Sequence, residues 1–268
     1  MKIVRYSAGL GNQIFIYLFT KYLQESFPNQ KVYGYYPRTS LNNHNGLEID
    51  KVFDIQLPPS SWTSNFVACG CRILRKLGIN NLMTTQDPCN LTAVLFYAYF
   101  QQKEYFLNNV STLRFKNLEL GEDNELILSE IKSSLSVSVH IRRGDYLDPE
   151  VQKRYGNIAT EQYYRVAINL IKEKIGSNIK FFVFSNDIEW CKANLVSDDI
   201  VFVEGNNGIK SSIDMYLMSN CCHHIIANSS FSYWGAMLNQ NPNKYVIYPK
   251  IWDNIQRPDI FPSDWIGL

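Results

Sequence analysis

The sequence has no run of about 18 consecutive apolar residues, so no segment reads as a membrane-spanning helix. It also lacks a Gly-x-x-x-x-Gly-Lys-Ser/Thr stretch, which removes a P-loop nucleotide site. Charge of neither sign dominates. The 26 Lys and Arg stand against 25 Asp and Glu, a formal net charge of +1, so nucleic acid is not expected as the main partner. The six cysteines, at 69, 71, 89, 191, 221 and 222, contain no Cys-x-x-Cys pair. In a chain of 268 residues with 46% hydrophobic content, buried free thiols are expected rather than a disulfide scaffold. Cys221-Cys222-His223-His224 has the composition of a metal cluster. Neighbours on a strand point to opposite faces, however, so at most two of the four could share one ion. Ile225 and Ile226 continue the segment as a core strand. The first apolar residues are interrupted by Asn12 and Gln13, too early for a secretory leader. An intracellular, cytoplasmic protein is expected.

The most informative stretch is Ser136 to Tyr146. Val137, Val139 and Ile141 alternate with Ser136, Ser138 and His140, the two-residue period of a strand. The apolar run stops at Arg142, Arg143, Gly144 and Asp145. In an open parallel sheet, ligands bind beyond the carboxyl ends of the strands, and arginine presents a planar fork of donors suited to phosphate oxygens. Two readings stand: a phosphate-bearing ligand held at this strand end, or a surface loop of solvated charges.

From Leu135 onward strands and helices alternate. The pattern predicts strands at Val137–Ile141, Lys180–Phe184, Ile200–Val203, Cys222–Ala227 and Tyr245–Tyr248. It predicts helices over Thr160–Lys174, from the Ser185-Asn186-Asp187 cap to Ala193, and over Ser211–Ser219 and Phe231–Leu238. This is the mark of a parallel, doubly wound sheet. Each polar loop then follows a strand's carboxyl end, so Arg142–Asp145, Ser185–Asp187, Glu204–Asn207 and Asn228–Ser232 share one edge. Together they form an anion site: an arginine fork plus the free N–H groups and positive dipole end of the helix after Ser229-Ser230. Asp187 or Glu204 could accept from a ribose or a base. Each Ser or Asp is equally an ordinary helix cap. No Asp-x-Asp pair occurs, which fits a site that neutralises a diphosphate with arginine and a helix end instead of a metal.

Ahead of this region, Lys2–Tyr6 reads as a strand and Asn12–Gln24 as a helix with a broad apolar face. Gly9-Leu10-Gly11 between them permits a tight turn and close approach to a ligand. Val32–Tyr36 is a second strand, Leu91–Phe100 is strand-like, and Glu122–Lys132 is a helix. Phe66–Leu77 reads either as an ordinary packed surface helix, the favoured reading, or as a basic amphipathic helix. In the second reading Arg72, Arg75 and Lys76 rest weakly on an anionic inner-membrane face.

His140-Ile141-Arg142-Arg143-Gly144-Asp145-Tyr146 resembles the H-x-R-R-G-D-Y motif of glycosyltransferase family 11, the α-1,2-fucosyltransferases. The resemblance extends to Gly9-Leu10-Gly11-Asn12-Gln13, to Phe184-Ser185-Asn186-Asp187, and to Ile226 through Ala236. Residues 37–120 carry no such motif, and Tyr233 stands where the family usually has Trp. The resemblance implies an α/β, GT-B-like fold of two Rossmann-like domains with the active site in the cleft between them. Residues 1–133 would form the acceptor-binding domain and 134–268 the GDP-sugar-binding domain. It also implies GDP-fucose as donor, a galactose-terminated glycan as acceptor, inversion at the anomeric carbon, and no metal or other cofactor. Arg142 would hold the diphosphate, with Arg143 a weaker or structural partner. His140, Asp187, Ser229, Ser230 and Phe231 would line the nucleotide, and Gly9, Gly11, Asn12 and Gln13 would face the cleft from the other domain.

In the chemistry this implies, Arg142 and a helix end stabilise the charge that develops on the departing GDP. Asp145 is the nearest motif carboxylate: either the base that takes the acceptor proton or an anchor for an arginine. A transferase of another GDP-hexose, or a glycan- or nucleotide-binding module without turnover, would share the same phosphate features.

Overall fold

The computed structural model describes residues 1–42, 44–78, 84–86, 90, 92–195, 197–256 and 258–268. Cys89 and Leu91 lie outside these residues. The chain divides into two units, Met1–Lys116 and Asn117–Leu268.

The first unit runs β1 (Lys2–Arg5), α1 (Leu10–Ser26), β2 (Val32–Tyr35), α2 (Arg38–Leu41), α3 (Ile49–Val52), α4 (Trp62–Lys76), β3 (Thr84–Thr85) and β4 (Leu95–Phe96). Its sheet is parallel, in the order β2-β1-β4-β3. Helix α1 is buried on most of its circumference because aromatic residues close over it. Phe19 stacks on Phe100 with ring centroids 3.7 Å apart and meets Tyr105 edge-on at 5.4 Å. The strand expected over Leu91–Phe100 is confined to Leu95–Phe96 among the described residues. The chain leaves the sheet and turns at Phe100, whose φ of 53° is left-handed, and this seats its ring on Phe19.

Helix α4 is capped reciprocally by Ser61 and Ser64. Its inner face, Ala68 and Cys71, packs on Ile3, Tyr35 and Leu95. Its outer face leaves Trp62, Phe66, Ile73 and Leu77 exposed, with Trp62 and Phe66 stacked on each other. In the membrane reading, Arg72 and Arg75 rest on lipid headgroups. Here they turn toward the sheet instead, Arg72 donating to the Tyr35 hydroxyl at 2.8 Å and Arg75 lying 4.1 Å over the Tyr97 ring.

The second unit contains α5 (Glu122–Ser133), β5 (Ser136–Ile141), α6 (Pro149–Tyr155), α7 (Glu161–Ile175), β6 (Lys180–Ser185), α8 (Ile188–Asn194), β7 (Ile200–Phe202), α9 (Ser211–Asn220), β8 (His223–Ile225), α10 (Ser230–Met237), β9 (Val246–Tyr248) and β10 (Ile266–Gly267). The expected boundary at 133/134 put α5 in the first domain. In the structure α5 belongs to the second unit, where it packs on α9. The sheet is parallel throughout, in the order β7-β6-β5-β8-β9-β10. Counted from β5, this is 3-2-1-4-5-6, the Rossmann order.

Both faces of β5 are covered, as in parallel sheets generally. Val137, Val139 and Ile141 pack on Tyr163, Tyr164, Ala167 and Ile171 of α7. The serines on the other face are equally buried but satisfied. Ser136 Oγ accepts from the Cys222 N–H at 3.1 Å, and Ser138 Oγ bonds His224 Nδ1 at 2.8 Å. His223 Nδ1 accepts from the Tyr245 N–H at 2.9 Å, so both histidines of the Cys-Cys-His-His stretch serve the sheet. Helices α9 and α10 approach so closely that a Cβ on Gly235 would lie 3.0 Å from Met218 Cβ. Helix α6 has no counterpart in the expected pattern. It begins at the Asp148 cap with Pro149 in its first turn, and Arg154 grips the buried Asp253 at 2.6 and 2.7 Å, pinning the C-terminal segment.

Candidate functional site

In this strand order the chain changes direction between β5 and β8, the position where open α/β sheets bind ligands. The loops leaving those two strands are the Arg142–Asp145 loop and the Ala227–Ser230 loop, and they are fastened to each other. The Tyr146 hydroxyl donates to the Asn228 carbonyl at 3.0 Å. The Asn228 amide in turn donates to the carbonyls of Tyr155 at 3.1 Å and Trp252 at 3.3 Å.

The two arginines are held differently. Arg143 is braced: its Nε donates to Asp187 Oδ2 at 3.2 Å, its guanidinium lies 4.1 Å over the Trp190 ring, and its N–H donates to Asn186 Oδ1 at 3.0 Å. Arg142 grips Asp145 with both ends of its fork, Nε to Oδ1 at 2.8 Å and Nη2 to Oδ2 at 2.9 Å. Asn186 Nδ2 completes the loop by donating to Asp145 Oδ1 at 3.3 Å. Both oxygens of Asp145 are thus engaged, which is the geometry of an anchor. Asp187, expected beside the nucleotide, caps α8 by accepting from the Trp190 N–H at 3.4 Å and steadies Arg143. Glu204 is taken by Lys192 at 2.9 Å.

Ser229 caps α10, accepting from the Phe231 N–H at 3.3 Å, and leaves the partly exposed Ser230 hydroxyl in the first turn. The Phe231 ring lies 5.9 Å from the imidazole of His140. Burial, with the Arg142 charge second, depresses the His140 pKa to about 3, so this histidine is neutral at physiological pH. Its Nδ1 is buried without a hydrogen-bond partner.

In the first unit, the Gly9–Gln13 stretch forms the turn from β1 into α1. Gly9 is the N-cap and no side chain caps the helix. A Cβ on Gly9 would stand 3.3 Å from His44 Nδ1, so the chain passes too close for a larger residue without displacement. Gly11 is buried in the first turn, and Asn12 Oδ1 accepts from Gln101 Nε2 at 3.3 Å. Gln13 is wholly buried and its amide is saturated. Nε2 donates to the Ala8 and Gly46 carbonyls, both at 2.8 Å, and Oε1 accepts from the N–H groups of Glu48 at 2.9 Å and Ile49 at 3.2 Å. The motif glutamine therefore shapes the loops and has no polar atom left for a ligand. It holds Ala8 at a left-handed φ of 62°, a conformation that costs roughly 1–3 kcal/mol outside glycine.

One half-buried carboxylate lies outside the motifs. Asp214 lies in the first turn of α9, on the same sheet edge as the β5 and β8 loops. Asn206 donates to it at 2.7 Å and is itself locked by a reciprocal amide pair with Asn124, at 2.8 and 3.0 Å. Desolvation raises the Asp214 pKa to about 7. Its signal in the sequence is weak, because an acidic residue in a first helical turn is ordinary. Among the described residues, no three His, Cys, Asp or Glu side chains converge as a metal-binding set, and no helix is long and apolar enough to cross a membrane.

Comparison with known proteins gives consistent likenesses. The family model for glycosyl transferase family 11 matches residues 63–268. The alpha-1,2-colitosyltransferase of Escherichia coli is 33% identical over 293 residues, covering 99% of this chain and 98% of that protein. Human galactoside alpha-(1,2)-fucosyltransferase 1 is 30% identical over 139 residues, 49% of this chain and 38% of that protein. Among solved structures, the fucosyltransferase NodZ from Bradyrhizobium superposes with a TM-score of 0.54 at 16% identity, covering 88% of this chain and 92% of that one. POFUT1 in its apo form gives 0.52 at 10% identity, covering 93% and 98%. These two structures share the GT-B-like α/β fold with this chain.

Proposed function

This chain belongs to glycosyl transferase family 11, and from that premise we propose that it moves L-fucose from GDP-fucose to the 2-hydroxyl of a terminal galactoside, with inversion and without a metal. The observation that carries the reading is that the loop bearing Arg142 and the loop leading into α10 leave adjacent strands at the switch point of the sheet and are fastened by the Tyr146–Asn228 hydrogen bond. Arg142 keeps its Nη1 group outside the Asp145 pair, and the helix end adds positive dipole on the same strand edge, which suits a diphosphate leaving group.

In this mechanism the bond from the sugar's anomeric carbon to the β-phosphate oxygen breaks through an oxocarbenium-like transition state. The acceptor hydroxyl attacks from the opposite face and its proton passes to water. Charge gathers on the departing GDP, and Arg142 with the N–H groups of α10 stabilises it there. Asp145 is the positioning residue that aims the Arg142 fork. A role as base would require it to release that fork. His140, held neutral by burial, and Phe231 form one wall of the nucleotide site, with Ser229 and Ser230 beside the phosphates. Arg143 and Asp187 brace the wall. Asp214, held by Asn206, is the candidate acceptor for the N–H groups of guanine once it is ionised. In the first unit, Gln13 shapes the turn that carries Gly9, Gly11 and Asn12.

A second donor is favoured by the 33% identity, over 99% of this chain, to a colitosyltransferase. Colitose is fucose without its 3-hydroxyl, so a GDP-linked 3,6-dideoxy sugar fits the same phosphate machinery. A site built to hydrogen-bond that hydroxyl rejects the deoxy sugar by several orders of magnitude, whereas an apolar contact there accepts it.

The deciding experiment is GDP release from GDP-fucose and from GDP-colitose against a panel of β-galactosides, with EDTA present. Transfer to the 2-position that survives EDTA establishes donor, linkage and metal independence together. Tight GDP binding without turnover on any acceptor would favour a binding module, and no GDP binding would overturn the Arg142 site.

A further inference from the structure

The first unit carries three arginines at one place that the sugar-transfer chemistry leaves unused. Register sets the arrangement. Arg5, the last residue of β1, pairs with Tyr35, the last residue of β2. On the other side Val4 pairs with Phe96, so Tyr97 follows opposite Arg5. Side chains of paired residues share a face. Tyr35, Arg5 and Tyr97 therefore form a row across the carboxyl end of the sheet.

Helix α4 lies over this face, with Ala68 and Cys71 on Ile3, Tyr35 and Leu95. Its last turns carry two more guanidinium groups onto the row. Arg72 donates to the Tyr35 hydroxyl at 2.8 Å, and Arg75 lies 4.1 Å over the Tyr97 ring. The Arg5 Nε–H is buried without a hydrogen-bond partner. Burial, and then the like charges of Arg72 and Arg75, lower the Arg5 pKa. Among the described residues, no carboxylate is ion-paired with any of the three. The tyrosine rings and hydroxyls steady the guanidiniums but do not neutralise them.

Three converging cations with no paired carboxylate among the described residues repel one another, and a bound anion removes that cost. Arg5 is half-buried and Arg75 exposed, so solvent reaches the cluster. One fork satisfies a carboxylate, whereas three forks with adjoining hydroxyls match the several oxygens of a phosphate. The carboxyl end of a parallel sheet is also where a ligand is expected. We propose that Arg5, Arg72 and Arg75 bind a phosphate or diphosphate group, borne by a ligand other than the nucleotide. The exposed Trp62, Phe66, Ile73 and Leu77 lie on the outer side of the same helix, so a lipid-linked diphosphate and a free one are both chemically suited.

The test is calorimetric titration of inorganic pyrophosphate into the full chain with GDP saturating. We expect one further site, weakened by added salt and at least tenfold weaker in Arg75→Gln and in Arg5→Lys, with GDP affinity unchanged. Arg75 is exposed, so its variant should keep the wild-type melting temperature. No pyrophosphate binding above GDP, or equal affinity in Arg75→Gln, overturns the site. Flotation with phosphatidylcholine vesicles, with and without a polyprenyl diphosphate, separates the sources. Flotation that needs the polyprenyl diphosphate and is lost in Arg75→Gln assigns the group to a lipid carrier. Pyrophosphate binding without flotation assigns it to a soluble ligand. Failure of GDP to bind would count against the nucleotide reading alone, because loss of pyrophosphate in Arg75→Gln is read separately.

Discussion

The guanidinium of Arg142 meets the carboxylate of Asp145 end to end, Nε on Oδ1 at 2.8 Å and Nη2 on Oδ2 at 2.9 Å. A fork held this way has a fixed plane, and Lys cannot reproduce it. Arg142→Lys is expected to lower kcat by roughly 10²- to 10³-fold, the cost of one lost charge-stabilising donor. Asp145→Asn should lower the rate plateau and leave the shape of the pH–rate profile unchanged. Loss of the profile's acidic limb in that variant would make Asp145 the base instead.

Gln13 should prove structural. Gln13→Ala leaves the buried N–H groups of Glu48 and Ile49 without their acceptor. Each such loss costs roughly 1–3 kcal/mol, so about 2–6 kcal/mol of stability should disappear. A urea-denaturation midpoint equal to wild type would contradict this role.

The pKa of His140 is about 3 in the folded chain, below its ordinary 6.5. The unfolded chain therefore takes up this proton first as pH falls. Its contribution to stability is complete above pH 6.5 and declines by about 1.4 kcal/mol per pH unit toward pH 3. In His140→Gln the loss of stability between pH 6 and pH 4 should be shallower by about that slope. Parallel melting curves for the two proteins would show that this imidazole is already charged when folded.

Asp214 runs the other way. Its folded pKa of about 7 exceeds the ordinary 3.8, so the folded chain keeps a proton that the unfolded chain releases. The resulting penalty is absent below pH 3.8 and grows to its full size by about pH 7. Asp214→Asn should therefore gain stability relative to wild type as pH rises from 4 to 7. The same variant should bind GDP at least tenfold more weakly. Unchanged GDP affinity would remove Asp214 from the nucleotide site.

Tyr233 stands where the family usually has Trp. Its ring is buried among Trp234, Trp252 and Trp265, and its hydroxyl donates to the Ile260 carbonyl at 2.7 Å. The departure thus concerns how the C-terminal segment packs. Tyr233→Phe is expected to cost about 1 kcal/mol in thermal stability and to leave kcat unchanged. A change in acceptor preference would tie Tyr233 to acceptor choice instead.

The second unit was legible because its signals are local. Alternating strands and helices, with Thr160, Asp187 and Ser229 as caps, appear where the spacing puts them. Helix α6 was missed because seven residues with no buried side chain carry no apolar period. The strand at Leu91–Phe100 was overextended because its aromatic residues suit a strand and a core turn equally. The motif arginines and carboxylates stand at neighbouring strand ends, but their pairings were not legible. Arg142 takes Asp145, three residues away, while Arg143 takes Asp187 on the next strand's loop.

By itself the sequence determined the order of elements, the edge of the second sheet that carries the polar loops, and the family motifs. Periodicity, capping and glycine turns act over a few residues and leave their trace in the chain. Only the tertiary structure decided which donors remain free. Gln13 is used up by loops some 35 residues away, and Asp145 is used up by Arg142 and Asn186. Arg5, Arg72 and Arg75 come together through strand register and helix packing. Hydrogen bonds and charge pairs are saturable, so what a residue can do for a ligand depends on what the fold has already placed against it.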